Sequence, residues 1–229
     1  WRDWSSDVCS SDLRHLQLLD AVRSIQASSD APVDIIVCVN GNRWDPECIL
    51  ALERMAGVAL HRLPEPSLPK ALAHGRAVVA TEFFGFLDDD DQLLPGAIDV
   101  RMRVLRERPE CDLAVINGIR RTATGDAVVL SNLNRVPADP LRTLFVQNWL
   151  PSCGGLFRTA TIEQAYFDEY HEYAEWTWLA YRLALDGKRV AVIDEPGFII
   201  NDTPGSLSKS TDYHNAYLAL YLRMLERAP

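Results

Sequence analysis

Short apolar runs alternate along the chain with longer segments in which apolar residues recur every three or four positions. Residues 14–27 show the second pattern, because Leu16, Leu19 and Val22 repeat every three residues and predict a helix with one apolar face. Residues 33–39 show the first pattern, a run rich in β-branched residues that ends at an Asn-Gly turn. The same criteria predict further strands at residues 58–63, 83–87, 113–116, 128–130 and 189–193, and further helices at residues 45–57, 69–80, 95–108, 140–147, 172–185 and from 213 onwards.

The predicted strands lack the alternation of apolar and polar residues that a half-exposed strand shows. A strand without alternation is typical of a sheet that is covered on both faces. Strands that alternate with helices of this length indicate β-α-β units. We therefore predict an α/β fold, with a mostly parallel sheet flanked by helices in a single domain.

Residues 1–13 have no helical or strand periodicity. From Asp3 to Leu13 they match, in one reading frame, the translation of a common short-read sequencing adapter. We predict that residues 1–13 are an adapter-like artefact and that the domain comprises residues 14–229.

Composition excludes several classes of protein. The hydrophobic fraction is 48% and the charged fraction is 24%, as in ordinary globular proteins. A net charge of −9 argues against a nucleic-acid partner, because such proteins usually present a basic face. No apolar run is long enough to predict a transmembrane segment. The five cysteines lack CxxC spacing, which favours a reducing compartment without structural zinc.

Four consecutive aspartates, Asp88 to Asp91, directly follow the apolar run at residues 83–87. The carboxyl ends of strands border the ligand crevice in open α/β sheets. Adjacent carboxylates repel one another, and a hard divalent cation with oxygen ligands would relieve that repulsion. The alternative is a solvated acidic turn before the next helix. The cluster alone does not separate a sugar transferase from a nucleotidyltransferase or a phosphatase.

An ordered set of motifs resembles the family 2 glycosyltransferases, which have the GT-A fold. The strand and acidic run at residues 81–91 resemble their DXD segment, with Asp88 and Asp90 as its two acids. Residues 33–41 are similar to their second strand. The stretch at residues 167–183 resembles a later "FDE…ED…L..R" motif, and residues 204–208 resemble the tail after the last strand.

The resemblance implies transfer of a sugar from a nucleotide diphosphate donor to a hydroxyl of a saccharide, lipid or protein acceptor, with inversion at the anomeric carbon. It implies Mn²⁺ or Mg²⁺ as cofactor, with Asp90 as the firmest metal contact and Asp88 and Asp91 as further ligands. Asn40, Asp88 and Asp89 are implied as contacts to the nucleotide. The family's general base is the aspartate of the "ED" pair, which reads Glu175-Trp176 here, so Glu175 becomes the candidate base, with Glu172 and Asp168 as further candidates behind it. The alternative for Glu175 is an ordinary exposed helix residue.

The resemblance also implies that something is missing. Family members usually begin with an apolar strand and a nucleotide-contacting loop, just before the helix that matches residues 14–27. Here the adapter-like segment occupies that place, so we predict that the first strand is missing. Residues 151–155 correspond to the segment that shapes the acceptor side in the family.

Other residues have two interpretations. Lys70 and Arg76 are candidates for phosphate contacts, although solvated surface charges are the more common role of such residues. Trp149, Trp176 and Trp178 are candidates for stacking on sugar rings, or else for the core.

Two rival functions stay open at this stage. One is a sugar-phosphate nucleotidyltransferase, which also places metal-binding acids after a strand. The other is a degenerate nucleotide- or sugar-binding domain without catalysis. For the glycosyltransferase we predict a cytoplasmic location, with peripheral association at the inner face of the membrane left open.

Overall fold

A computed structural model describes residues 14–42, 44–202 and 211–227. The helices are α1 (Arg14–Gln26), α2 (Pro46–Glu53), α3 (Leu68–Val78), α4 (Ala97–Glu107), α5 (Pro140–Val146), α6 (Ala165–Asp168), α7 (Glu175–Leu185) and α8 (Thr211–Glu226), with a short 3-10 helix at Leu133–Arg135. The strands are β1 (Ile35–Asn40), β2 (Val58–Leu63), β3 (Phe83–Gly85), β4 (Gln92–Leu93), β5 (Leu113–Thr122), β6 (Gly125–Val128), β7 (Gly155–Arg158) and β8 (Val190–Asn201). The adapter-like residues 1–13 and the tail at residues 204–208 lie outside the described residues, so both remain predictions.

Side-chain caps fix where several helices begin. The carboxylate of Asp45 accepts a hydrogen bond from the backbone N–H of Cys48 at the start of α2, and Ser67 and Asp139 cap α3 and α5 in the same way. Each of these helices also carries a proline in its first turn, where no hydrogen bond is lost. The predicted helix starts are therefore met within a few residues.

The strands form two sheets among the described residues. Strands β1 and β2 pair in parallel as a small sheet, and a six-stranded sheet has the order β3-β7-β5-β8-β4, with β6 paired to β5. Within the larger sheet only the β5–β8 pair is parallel, and the β3–β7, β5–β7, β4–β8 and β5–β6 pairs are antiparallel. The predicted α/β class is confirmed, but the sheet is mixed rather than mostly parallel.

Several strand predictions needed correction. Strand β4 was not predicted, β5 extends to Thr122 instead of ending at residue 116, and β6 covers Gly125–Val128 instead of residues 128–130. Strand β7 was not predicted, and it inserts antiparallel between β3 and β5. Strand β8 extends to Asn201, whereas the sequence predicted its end at residue 193. The ladder between β5 and β8 shifts register next to Pro196, and an irregular position of this kind is where a strand tolerates proline.

Separate apolar cores lie beneath the two sheets. The small sheet packs with α1 and α2 around a cluster that includes Val22, Val37 and Leu52. The larger sheet carries the main cluster, which includes Phe157, Trp178 and Tyr181. Helix α1 connects the two units, since the backbone N–H of Leu93 in β4 donates to the Ser24 hydroxyl at 3.0 Å.

Within residues 14–42, 44–202 and 211–227, no helix combines the length and the apolarity that a membrane-spanning segment requires.

Candidate active site

A cavity of about 1140 Å³ lies between the small sheet and the larger one. All of β1 except Val39 lines it, as do β3 and the segment that follows β3. No described strand pairs with the second edge of β1 or with the second edge of β3. All six residues predicted for the site line this cavity: Asn40, Asp88, Asp89, Asp90, Asp91 and Glu175. The structure therefore brings together residues that are up to 135 positions apart in the sequence.

The acidic run forms a turn. The backbone N–H of Asp91 donates to the carbonyl of Asp88 at 3.2 Å, and the Asn201 side chain donates to the carbonyl of Asp90 at 2.6 Å. Burial, the principal cause, and the charge of Asp90 raise the pKa of Asp88 to about 6, although a hydrogen bond with Ser152 opposes the shift. The end of β8 thus holds the turn in place while Asp88 lies next to a second negative charge.

Asp91 differs from its neighbours because its carboxyl group is held by the protein on both oxygens. One oxygen accepts the backbone N–H of Asn201 at 3.0 Å, and the other lies 3.8 Å from the Cys153 thiol, which donates to it. The side chain is buried, and burial followed by the charges of Asp88 and Asp90 raises its pKa to about 8. The surroundings of Asp91 therefore favour the protonated form of its carboxyl group.

The segment at residues 151–155 packs against this turn. Ser152 hydrogen-bonds to Asp88, and Cys153 donates to Asp91. Both residues are buried. The sequence predicted that this segment shapes the acceptor side, but its contacts are with the acidic run, where we had predicted donor binding.

No group of three or more histidine, cysteine, aspartate or glutamate side chains is placed to hold a metal ion within the described ranges. Mg²⁺ usually needs fewer protein ligands than such a group provides. One or two carboxylates suffice, because water and substrate phosphates complete its coordination shell. Asp88 and Asp90 meet this smaller requirement, because both line the cavity and their mutual repulsion favours a cation between them. Asp91 fits less well, because Asn201 and Cys153 already bind its oxygens.

Glu175 is the first residue of α7 and is buried, with 9% of its surface exposed. The alternative of an ordinary exposed helix residue is therefore wrong. Its carboxylate accepts the backbone N–H of Tyr173 at 3.0 Å. Burial raises the pKa of Glu175 to about 7, and a smaller contribution comes from the charge of Asp88. A carboxyl group in this state exchanges its proton near neutral pH.

Tyr173 has a backbone angle that tyrosine rarely adopts. Its φ is 68°, and it is the one non-glycine residue with positive φ in the part of the chain that the structure describes. Such a conformation costs on the order of 1–2 kcal/mol for an ordinary residue. Here it accompanies the hydrogen bond from the Tyr173 N–H to Glu175, so the strain lies directly beside the candidate base.

Aromatic side chains form the wall next to Glu175. Trp176 lines the cavity and meets Phe86 edge-on, with ring centroids 5.3 Å apart. Tyr213 and Tyr217 of α8 also line the cavity, and their hydroxyls lie 3.1 Å apart. Trp176 therefore stays a candidate for sugar stacking.

Trp149 and Trp178 belong to the core instead, since each is 1% exposed and each indole N–H donates to a backbone carbonyl. Lys70 is exposed and pairs with Glu65, as expected of a surface charge. The corresponding expectation for Arg76 is wrong. Arg76 is buried, donates to the carbonyls of Thr159 and Ile162 and lies over the Phe84 ring at 4.8 Å.

Sequence reasoning missed four residues of this site: Arg101, Tyr173, Asn201 and Tyr213. Asn201 and Tyr213 lie beyond the predicted end of β8, and nothing local marks them. The backbone of Tyr173 adopts a conformation that its residue type disfavours, so no sequence pattern could indicate it. Arg101 lies within the helix predicted at residues 95–108, and the sequence does not indicate which of the charged residues of that helix is buried.

Comparison with solved structures identifies the fold. Staphylococcus aureus TarS 1–349 in complex with UDP-GlcNAc superposes with a TM-score of 0.71 at 16% identity, over 92% of this chain and 63% of that one. A second TarS 1–349 structure gives a TM-score of 0.67 at 15% identity, over 93% of this chain and 62% of that one. TarS 1–349 in complex with UDP gives a TM-score of 0.66 at 14% identity, over 92% of this chain and 62% of that one. No family model and no curated protein matches the chain. The chain thus spans a little under two thirds of the TarS 1–349 structures, and the predicted GT-A fold is confirmed.

Proposed function

We propose that this chain is a glycosyltransferase that moves a sugar from a nucleotide diphosphate donor to a hydroxyl acceptor. The observation that carries the proposal is the shared cavity of the acidic turn and Glu175, whose buried carboxyl has a pKa of about 7. The fold agrees, because a TarS structure with this fold binds UDP-GlcNAc. The acceptor class, whether saccharide, lipid or protein, and the cytoplasmic location remain predictions.

In this proposal Glu175 is the general base. Its carboxylate accepts the proton of the acceptor hydroxyl while that oxygen forms a bond to the anomeric carbon. The bond from the anomeric carbon to the diphosphate oxygen breaks at the same time, and the nucleoside diphosphate leaves with its electron pair. A base works best when its pKa lies near the working pH, and burial brings Glu175 to that range. A single-step attack of this kind inverts the anomeric centre.

The donor side is assigned to the acidic turn and the end of β1. Asn40, at the end of β1, and Asp89 are proposed to contact the nucleotide, and Asp88 is shared between nucleotide and metal. Asp88 and Asp90 would hold Mn²⁺ or Mg²⁺, with Asp91 as the weaker candidate. The bound cation would neutralise charge on the departing diphosphate.

We also propose that the first strand, which the resemblance predicts to be missing, would lie in this cavity. Ile36 and Cys38 direct their backbone N–H groups away from β2, because alternate residues of a strand point to opposite edges. Phe83, Phe84 and Gly85 line the cavity from the other side. One apolar strand between these edges would join the two sheets. Slow amide exchange at Ile36 and Cys38 in the product of the intact gene, but not in the 229-residue chain, would support this.

The function is tested on the product of the intact gene with UDP-GlcNAc and Mn²⁺ or EDTA, by following UDP release. We expect Mn²⁺-stimulated release, and a loss of about 10-fold or more in Asp88→Asn and Asp90→Asn. Asp126→Asn is the matched control, because Asp126 lies on β6, is exposed and pairs only with Arg121 among the ion pairs of the described residues.

The other outcomes separate the rivals. Formation of a nucleoside triphosphate from the sugar nucleotide and pyrophosphate would indicate a nucleotidyltransferase. Tight UDP binding without turnover would indicate a binding domain. Retained configuration in the sugar product would overturn the inverting mechanism alone.

A further inference from the structure

Arg101 of α4 is a buried cation that binds only backbone carbonyls among its hydrogen bonds. Its side chain is 2% exposed, and its Nε donates to the carbonyl of Ala97 at 2.8 Å. Its Nη1 reaches three consecutive carbonyls of the segment at residues 151–155, namely those of Cys153 at 3.2 Å and of Gly154 and Gly155 at 3.4 Å each. The segment is thus gathered around a single guanidinium nitrogen.

No acidic side chain forms a salt bridge with Arg101 in the described ranges. Removing an unpaired charge from water costs several kcal/mol, so such a residue needs strong compensation from its surroundings. Burial lowers the pKa of Arg101 to about 10, and the guanidinium therefore stays charged at neutral pH. The compensation comes from carbonyl dipoles, and those belong largely to residues 153–155.

The other side of the same segment contacts the acidic turn. Ser152 hydrogen-bonds to Asp88, and the Cys153 thiol donates to Asp91 at 3.8 Å. Displacing the segment would therefore remove two donors from the carboxylates of the turn. It would also remove the wall that keeps Cys153 at 0% exposure.

We propose that Arg101 is a positioning residue, which fixes the segment at residues 151–155 and through it the carboxylates that bind the donor. Among residues 14–42, 44–202 and 211–227, Arg101 forms no salt bridge with an acidic side chain, and it acts through the backbone of its neighbours. The role in donor binding rests on the proposed function, whereas the role in fixing the segment does not.

Arg76 provides a matched control. It is also buried and also donates its guanidinium to backbone carbonyls, but these belong to Thr159 and Ile162. Arg76 does not line the cavity. Replacing either arginine removes a buried cation and its carbonyl contacts, and only one of the two replacements should disturb the acidic turn.

The experiment compares Arg101→Met, Arg101→Lys and Arg76→Met in the product of the intact gene. Iodoacetamide labelling of Cys153 is followed by mass spectrometry, with the buried Cys48 and Cys111 as internal references for global opening. UDP affinity is measured by calorimetry with Mn²⁺ present. For Arg101→Met we expect at least 10-fold faster labelling of Cys153, unchanged labelling of the reference cysteines and at least 10-fold weaker UDP binding.

Arg101→Lys should recover part of both effects, because its ammonium reaches fewer carbonyls, and Arg76→Met should leave both near wild type. The proposal would be overturned if Cys153 stayed protected in folded Arg101→Met. It would also be overturned if all three cysteines were labelled faster, to the same extent, in both methionine variants. If Arg101→Met does not fold, Arg101→Lys decides by the same two readouts. Absence of UDP binding in the wild type would refute the proposed function, and the labelling would still decide the role in fixing the segment.

Discussion

Asp91 and Glu175 line the same cavity and carry the same kind of group in two different settings. Both are buried, and burial is the main cause that raises the pKa of each, to about 8 for Asp91 and to about 7 for Glu175. Asp91 is bound on both oxygens by the protein, through Asn201 and Cys153. Glu175 accepts the backbone N–H of Tyr173 next to the aromatic wall of the cavity.

The two carboxyl groups show that a raised pKa does not by itself identify a catalytic acid or base. The contacts of the carboxyl group decide between a structural and a chemical role. Both oxygens of Asp91 are in contacts that hold the turn, so we assign Asp91 a structural role. Glu175 accepts backbone N–H groups, its own and that of Tyr173, and it lines the cavity that would receive the substrate hydroxyl. Replacing each carboxyl group with its neutral amide tests the roles assigned to Glu175 and Asp91.

The largest effect is expected for Glu175→Gln. The amide keeps the size of the side chain but cannot accept the proton of the acceptor, so transfer should fall roughly 10²–10⁴-fold. UDP affinity should stay near wild type. The measurement is kcat for sugar transfer together with UDP binding by calorimetry. Glu172→Gln, three residues away and exposed, is the matched control. Equal losses in the two variants would remove Glu175 from the role of base.

An intermediate effect is expected for Asp91→Asn, on stability. A carboxyl whose pKa is about 8 in the native state and near 3.8 when unfolded binds its proton more tightly in the native state. The native state therefore loses stability as pH rises from about 4 to 8. Between pH 5 and pH 8 the wild type should lose about 3–4 kcal/mol more than Asp91→Asn.

Urea unfolding of both proteins in EDTA at the two pH values measures this difference. Parallel pH dependence in wild type and Asp91→Asn would show that Asp91 is ionised in the native state, and the contrast with Glu175 would be lost.

The smallest effect is expected at Tyr173. Glycine adopts positive φ without strain, whereas valine resists it. The hydrogen bond from the N–H of residue 173 lowers the pKa of Glu175. Tyr173→Val should weaken this hydrogen bond and therefore raise the pKa of Glu175. In a plot of transfer rate against pH, the acidic limb should move to higher pH by roughly 0.5–1 unit in Tyr173→Val, which corresponds to about 1 kcal/mol of lost stabilisation of the carboxylate. The limb should stay in place in Tyr173→Gly. Identical profiles for the two variants would contradict a role for this backbone conformation.

The sequence predicted the elements of this fold better than their pairing. Helix α3 and strand β2 lie within two residues of their predicted positions, because their caps and apolar patterns are local. The direction of the strands depends on which strands become neighbours. Strand β7 contains only four residues, begins with glycine and was not predicted, and its insertion accounts for two of the four antiparallel pairs in the sheet.

The candidate site shows the same division. The acidic run and Glu175 were found because their residue types and order match a pattern, and the structure brings them to one cavity. The hydrogen bond from Cys153 to Asp91 could not be predicted, because the two residues are 62 positions apart in the sequence. The burial of Arg76 was also missed, because the carbonyls that receive it belong to a distant segment. Contacts of this range depend on packing and have no local pattern.

The separate core beneath β1 and β2 has a consequence for how this molecule opens. The cluster of α1, β1 and α2 is separate from the main core and borders the cavity, so we expect this unit to open as a foldon before the rest of the molecule unfolds. Opening of that unit would release Asn40 from the site while the acidic turn stays anchored to β8. A ligand that contacts both Asn40 and the acidic turn would then stabilise the docking of the two units, and its affinity would include the free energy of that docking.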